Sequence, residues 1–76
     1  MTRSPVKSSH IKTIGHEGDT LEVEYANGSI YRYSGIDDND YAVITGGDSI
    51  GSGVSKATRK EGVTGKKLEP EILEIY

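Results

Sequence analysis

The stretch YANGSIYRY, residues 25–33, joins two runs of alternating apolar and polar residues through an Asn-Gly pair. Asn-Gly between such runs is the strongest short-range signal for a β-hairpin. Because side chains of a strand alternate between two faces, the length of the loop decides the face on which Tyr31 and Tyr33 lie. One face makes these tyrosines part of the core, and the other makes them a binding surface.

The hairpin loop can have either two or three residues, and the apolar-polar alternation of the flanking strands favours one of these lengths. A two-residue loop of Asn27 and Gly28 pairs Tyr25 with Ile30 and places a basic residue on the apolar face. A three-residue loop, residues 26–28 with Gly28 in a left-handed conformation, pairs Tyr25 with Ser29 and leaves Ile30 exposed. This second register keeps both strands amphipathic: Tyr31 lies beside Val23, Tyr33 beside Leu21, and Arg32 across from Glu22 and Glu24. We therefore predict that the tyrosine rings form the core face, with hydroxyls at its edge.

Residues before the hairpin complete a three-stranded antiparallel meander. TLEVEY, residues 20–25, alternates cleanly and predicts a half-buried strand. HIKTIG, residues 10–15, predicts another strand, in which the spacing of three between Ile11 and Ile14 indicates a β-bulge. HEGD, residues 16–19, is typical of a polar turn between the two.

Two short helices are predicted after the hairpin. Asp37 or Asp38 caps the first, which stops at Gly46-Gly47, and Asp48 or Ser49 caps the second. Glycines weaken the first turns of the second helix, while basic residues suit its C-terminal end and a glycine can close it: these are Gly51, Gly53, Lys56, Arg59, Lys60 and Gly62. The fold class is therefore α+β, a meander followed by two helices.

Size and composition limit what this fold can do. The chain has 76 residues, 33% hydrophobic, with no cysteine to staple a small core. We assign residues 1–64 to one α+β domain. The apolar residues 65–76 are a C-terminal tail that docks as an extra strand or helix, and this segment predicts a homo-oligomer or a partner-binding surface. Neither a signal peptide nor a membrane span is evident, so the expected location is cytoplasmic and no membrane partner is expected.

Charge is segregated along the chain. The net charge is −3, with eight acidic residues against one basic residue in residues 17–48, and five basic residues against one acidic residue in residues 56–67. A run of like charge is most often a solvated face, but the basic cluster of residues 56–67 also favours an anionic ligand. Net acidity also disfavours a long duplex nucleic acid as partner, because binding to its backbone needs extended positive charge.

The order of these motifs resembles the KTSC domain family, small modules named for their occurrence at the C-terminus of some lysyl-tRNA synthetases. The resemblance covers roughly residues 6–60, and Val54-Ser55 and Thr58-Arg59 depart from the family pattern. It implies the α+β fold and, since RNA binding has been suggested for the family, RNA binding as the function. The residues that carry it are Val6, Ser8, Ser9, Ile11, Ile14, Gly15, Leu21, Val23, Tyr25, Gly28, Tyr31, Tyr33, Tyr41, Asp48, Ser49 and Gly51.

Glycine-rich residues 46–53, GGDSIGSG, invite comparison with a phosphate-binding loop. Ser52 stands where the lysine of GxxxxGK[ST] must be, and the segment follows a helix instead of a strand, so an NTPase is excluded. Glycines and serines at a helix N-terminus still form a generic anion site, although a flexible, self-capped helix start is the preferred explanation of this segment. Aromatic rings for stacking and a nearby cation with hydroxyls add what a nucleobase and a phosphate require. The candidate ligand-binding residues are Lys7, Ser8, Ser9, Tyr31, Tyr33, Ser49, Gly51, Ser52, Lys56 and Arg59.

Catalysis and metal binding have no support in the sequence. His10 and His16 are six residues apart, which is not a recognised ligand spacing, and surface histidines are the commoner case. No thiol is present, and no serine has an evident histidine partner. We therefore predict a non-enzymatic module without cofactor or metal. It would bind a nucleotide or short RNA, for instance by sequestering a signalling nucleotide in phage or bacterial defence; the alternative is an oligomeric interaction module that works through its tail.

Overall fold

A computed structural model describes residues 2–68 of the chain. These residues form five strands and two helices. In chain order the elements are β1 Ser4–Pro5, β2 Ile11–Glu17, β3 Thr20–Tyr25, β4 Ile30–Ser34, α1 Asp38–Gly46, α2 Ile50–Thr58 and β5 Thr64–Leu68. The strands make one antiparallel sheet in the order β1-β2-β3-β4-β5. The predicted meander is its centre, and β1 and β5 are additions at the two edges.

The hairpin between β3 and β4 adopts the predicted three-residue register. Leu21 pairs with Tyr33 and Val23 with Tyr31. The amide of Tyr25 donates to the carbonyl of Ser29 at 2.8 Å, and Gly28 has a φ of 94°. That positive φ is the conformation that glycine adopts without strain. The predicted bulge in β2 is confirmed as well, by a register shift between Ile11 and Thr13.

Two details of the predicted strands are wrong. Ile30 is half-buried instead of exposed, because it pairs across the sheet with Leu68 of β5. His16 and Glu17 extend β2 and are not part of the turn. The start of the tail docks as one of the predicted alternatives, a strand on the chain's own sheet: residues 65–68 belong to β5, which begins one residue before the assigned tail. The rest of the tail, residues 69–76, lies outside the described residues.

Both helices begin at residues that the sequence offers as caps. Asp37 caps α1 in a capping box with Asp40, and Ser49 caps α2 by accepting the amide of Ser52. The second helix ends at Thr58 with Arg59 as its C-cap, earlier than a closure at Gly62 would place it. Each helix has nine residues, and neither is long and apolar enough to cross a membrane.

The core lies between the helices and the face of the sheet that carries Leu21 and Val23. Both side chains are fully buried, and so is Ile44 of α1. The other buried apolar residues packed with them are Ile11, Ile14, Ile36, Val54 and Ala57. A β-carbon at Gly53 of α2 would stand 3.0 Å from the Cα of Ile44, so this glycine lets the two helices approach closely. The glycine that weakens α2 locally thus stabilises the packing of α2 on α1.

The opposite face of the sheet holds a buried carboxylate between two arginines. Glu22 is only 5% exposed. Its Oε2 accepts from Nε and Nη2 of Arg32 at 3.1 and 2.7 Å, and its Oε1 accepts from Nη1 of Arg3 at 2.8 Å. Arg3 crosses Gly15 to reach it, and a β-carbon at that glycine would lie 3.0 Å from Cγ of Arg3. Both oxygens of the carboxylate are therefore satisfied, as burial of a charge requires.

Candidate functional site

Three tyrosines of β3 and β4 line an open pocket of about 610 Å³, which we call the tyrosine pocket. Because Tyr31 and Tyr33 pair with buried residues of β3, they share the face of the sheet that carries the helices. Both nevertheless remain half-buried. The lining residues are His10, Tyr25, Ala26, Asn27, Ser29, Tyr31 and Tyr33. The two predictions for these rings are thus compatible: they extend the core face and also border a pocket.

Contacts among the tyrosines hold the rings in place. The ring of Tyr31 stacks on that of Tyr33 with 6.1 Å between centroids and meets Tyr25 edge-on at 5.7 Å. The hydroxyl oxygens of Tyr25 and Tyr33 are 3.1 Å apart, within hydrogen-bond distance. Burial first, and then this hydrogen bond, raises the pKa of Tyr33 well above its ordinary value, so its phenol stays protonated. The pocket therefore offers a neutral, preorganised aromatic wall.

A second pocket, of about 490 Å³, lies where the segment before β2 meets the N-terminus of α2. We call it the serine pocket. It brings together six of the predicted ligand-binding residues, although they come from two segments about forty positions apart in the sequence. These six are Lys7, Ser8, Ser9, Ser49, Gly51 and Ser52.

Hydrogen-bond donors dominate the serine pocket. Oγ of Ser8 accepts the amides of His10 and Ile11, each at 3.3 Å, and Oγ of Ser49 accepts the amide of Ser52 at 3.2 Å. Since these oxygens act as acceptors toward the backbone, their O–H groups are left to donate to a ligand. The N-terminus of α2 adds amides and a positive dipole end. Such a lining suits an anion.

Four residues of the serine pocket were not among the predicted ones. They are His10, Asp48, Ile50 and Ser55. His10 is the most informative, because it lines the tyrosine pocket as well and so joins the two. Asp48 is an exposed carboxylate that opposes an anion at the same site. Tyr25 of the tyrosine pocket was not among the predicted residues either, although its alternation with Leu21 and Val23 places it on the face of the other tyrosines.

The predicted basic cluster does not gather at either pocket. Lys56 and Arg59 are exposed at the far end of α2, and neither lines the tyrosine or the serine pocket. Lys60 is paired with Asp40, its Nζ lying 2.9 Å from Oδ1. Lys66 and Lys67 are neighbours on β5 and so point to opposite faces of the sheet. Closeness in sequence did not produce one basic surface.

His16 has a structural role that its sequence position does not reveal. Its side chain is only 6% exposed. The ring stacks on Tyr41 with 4.6 Å between centroids and 9° between planes, and Nε2 donates to the carbonyl of Ile36 at 2.6 Å. The expectation of a surface histidine is therefore wrong for this residue, which ties β2 to the start of α1. Among residues 2–68, no group of three or more metal-ligating side chains occurs.

Comparison with known proteins agrees with the predicted resemblance. The family model of the KTSC domain matches residues 7–59. The crystal structure of a KTSC domain protein from Yersinia pestis is similar, with a TM-score of 0.74 and 27% sequence identity, over 90% of this chain and 97% of that one. No curated protein matches at a significant level. The family and the α+β fold are thereby confirmed.

Proposed function

The chain belongs to the KTSC domain family, and from this premise we propose that it is a non-catalytic module that binds a nucleotide-type ligand. The ligand is a small phosphorylated nucleotide or a short single-stranded RNA. The observation that carries the proposal is the position of His10, which lines an aromatic pocket on one side and a donor-rich pocket on the other. A nucleotide has the same two parts, a flat base and an anionic phosphate.

The tyrosine pocket is the proposed place of the base. Tyr31 is half-buried, so part of its ring is open to a ligand, and its contacts with Tyr25 and Tyr33 fix its orientation. Stacking of a base on such a ring contributes about 1–3 kcal/mol and tolerates any base, because every base has a flat π-face. The side chains of Asn27 and Ser29 border the same pocket and add polar groups for the edge of the base.

The serine pocket is the proposed place of the phosphate. Lys7 supplies a cation, Ser8 and Ser49 supply hydroxyl donors, and α2 points its N-terminus at the pocket. Charge-assisted hydrogen bonds from such donors are about twice as strong as neutral ones. Asp48 lowers the affinity for a highly charged phosphate, which favours a ligand with few phosphate groups.

With a net charge of −3, extended contact with a long nucleic acid is disfavoured, so a short ligand is the better fit. Nucleotides of this kind occur in the cytoplasm, where we place the protein. A module that binds without reacting acts by sequestration, for instance of a signalling nucleotide in phage or bacterial defence. In support of a non-catalytic role, the contact of His10 with Ser8 runs through the backbone amide, which is no arrangement for activating a nucleophile.

Isothermal titration with a panel of ribonucleoside monophosphates, diphosphates, triphosphates and short oligoribonucleotides tests the proposal. We expect Tyr31→Phe to bind as the parent does, since the ring is kept. Tyr31→Leu removes the ring and should weaken binding about tenfold. Absence of heat with every ligand at millimolar concentration, in a protein that is folded by circular dichroism, would overturn the proposal. Native mass spectrometry of protein purified from its host would identify an occupant by its mass.

A second function is favoured by the position of β5. This strand is an edge of the described sheet, where backbone groups are open to another strand, and it leads directly into residues 69–76. We propose as the alternative a homo-oligomeric or protein-interaction module that works through its C-terminal tail. A chain that ends at Leu68 keeps β5 and removes the rest of the tail. Unchanged mass by light scattering relative to the full chain would refute the oligomeric version.

A further inference from the structure

On the face of the sheet away from the helices, β4 and β5 place four polar side chains together. Arg32 pairs directly with Lys66, and Ser34 pairs directly with Thr64. Since positions two apart on a strand share a face, the two pairs are adjacent on this surface. A cavity of about 280 Å³ lies over them, and we call it the sheet-face pocket. Two cations and two hydroxyls thus converge on one depression.

Arg32 and Lys66 place two positive charges directly opposite each other on neighbouring strands. Like charges directly opposite each other destabilise an antiparallel pair. Arg32 turns two of its five N–H donors, on Nε and Nη2, toward Glu22, which leaves three for another acceptor. Lys66 is exposed, and the ion pairs of Glu22 within residues 2–68 are with Arg32 and Arg3 and not with Lys66.

Acidic groups nearby offset only part of this positive charge. Within the described residues, Glu22 forms ion pairs with Arg3 and Arg32, and Lys66 lies directly beside Arg32 on the next strand. This part of the surface therefore has three cations and one buried carboxylate. Glu24 is two residues after Glu22 on β3 and shares its face of the sheet. Its Oε1, however, accepts a hydrogen bond from the hydroxyl of Thr13 on β2, the strand on the side away from β4. The sheet-face pocket itself is lined by no acidic residue among residues 2–68.

We propose that the sheet-face pocket binds an oxyanion of the phosphate type, held by Arg32 and Lys66 and by the hydroxyls of Ser34 and Thr64. The planar guanidinium presents donors at the geometry of phosphate oxygens, the ammonium adds a point charge, and the hydroxyls donate to the remaining oxygens. The two hydrogen bonds from Arg32 to Glu22 fix the position of the guanidinium. The tyrosine pocket is on the other face of the sheet, so this site is independent of the proposed nucleotide site.

Lysines on an edge strand can also serve only to prevent pairing with strands of other chains. If that were their role here, substitution of either lysine of β5 would have the same effect. That role applies equally to Lys66 and Lys67, which are neighbours on β5 and differ in the face they occupy. A binding site requires Lys66 alone. Lys66→Gln and Lys67→Gln are therefore a matched pair: each removes one positive charge from the same strand.

Titration of ¹⁵N-labelled protein with inorganic phosphate, at constant ionic strength balanced with chloride, tests the site by NMR. We expect saturable shifts of the amides of Ser34, Thr64 and Lys66. Lys66→Gln should weaken binding about tenfold, the loss of one charge-assisted contact, while Lys67→Gln stays within about twofold of the parent. Equal weakening by both variants, or the absence of saturable shifts in β4 and β5, would overturn the proposal.

The residues that respond also separate this site from the serine pocket. Shifts confined to residues 49–52 would place phosphate at the N-terminus of α2 and would contradict the sheet-face site while leaving the nucleotide proposal intact. A second titration with a four-residue oligothymidylate distinguishes the source of the anion. Tighter binding of the oligonucleotide in β4 and β5 assigns a nucleic-acid phosphodiester, and tighter binding of free phosphate assigns a small phosphate or phosphate monoester.

Discussion

Tyr33 of β4 lies directly across the sheet from Gly65 of β5, and its ring covers the glycine backbone. A β-carbon at position 65 would stand 2.6 Å from Cε1 of Tyr33. The ring of Tyr33 cannot move aside freely, because it stacks on Tyr31 and its hydroxyl forms a hydrogen bond with the hydroxyl of Tyr25. This pair therefore couples the attachment of β5 to the order of the tyrosine pocket.

Gly65→Ala should destabilise the protein by about 1–3 kcal/mol, because the added methyl group overpacks the contact with Tyr33. Urea denaturation followed by tyrosine fluorescence measures the change. Gly46→Ala is the control: it lies at the end of α1, where an added β-carbon would meet no neighbour within 4 Å, and it should be neutral or slightly stabilising. A Gly65→Ala variant as stable as Gly46→Ala would contradict the close contact.

The ionisation of Glu22 should make the stability of the protein depend on pH. Burial would raise the pKa of this carboxyl, but hydrogen bonds and charges of Arg32 and Arg3 outweigh burial and hold it below its ordinary value of 4.5. A group whose pKa is lower in the folded state stabilises at pH values above its unfolded pKa and loses that contribution as the pH falls through the folded pKa. We therefore expect stability to fall below about pH 4.5.

Glu22→Gln should remove most of that pH dependence and reduce stability at pH 7 by about 1–3 kcal/mol, since it takes a charged acceptor from two arginines. Denaturation midpoints between pH 3 and pH 7 measure both effects. Glu24→Gln is the matched control on the same face of β3, because a glutamine oxygen still accepts from Thr13. Parallel pH curves for the parent and Glu22→Gln would show that this carboxylate does not carry the dependence.

The two histidines should differ sharply in their effect on stability. His16→Phe keeps an aromatic ring against Tyr41 but leaves the carbonyl of Ile36 without its donor, which costs about 1–3 kcal/mol. His10→Phe changes an exposed residue and should leave the melting temperature nearly unchanged. Thermal unfolding of both variants at pH 7.5 measures the difference, and equal melting temperatures would refute the structural role of His16.

Asp48 should weaken the binding of a phosphorylated ligand. Asp48→Asn removes a like charge from the serine pocket and should raise affinity about two- to fivefold at low salt, with the gain shrinking as salt is added. Glu61→Gln makes the same change in net charge beyond the C-terminal end of α2 and should have no such effect. Titrations of both variants at two salt concentrations provide the comparison; equal gains would indicate only the effect of net charge.

Local signals in the sequence predicted much of the fold. Asn27-Gly28 and the alternation around it fixed the register, and the caps at Asp37 and Ser49 were among the residues offered. β1 has two residues, one of them a proline, and β5 has four exposed residues, so neither has an apolar period to detect. Whether such a segment forms an edge strand depends on the neighbouring strand with which it pairs, and the periodicity of its own sequence gives no information about that neighbour.

The site was predictable only in its parts. Serines 8 and 9 and the N-terminus of α2 were each identified, but their meeting in one pocket depends on how α2 packs on the sheet. His16 was misread because its partners, Ile36 and Tyr41, are twenty or more positions away in the sequence. The basic residues near the C-terminus were read as one cluster, and the sheet places two of them on opposite faces. Long-range packing decided each of these outcomes.

Alanine substitutions at Gly51 and Gly53 should show that the stability of the protein and its affinity for a nucleotide can change independently. A β-carbon at Gly51 would lie 3.7 Å from Oγ of Ser8, an ordinary contact, so Gly51→Ala fits and should stabilise the helix by about 0.5 kcal/mol. The same methyl group enters the serine pocket and should weaken nucleotide binding. Gly53→Ala instead meets the backbone of Ile44 and should destabilise the protein. Calorimetric titration alongside urea denaturation tests both, and a Gly51→Ala variant that is more stable yet binds as the parent does would remove the serine pocket from the site.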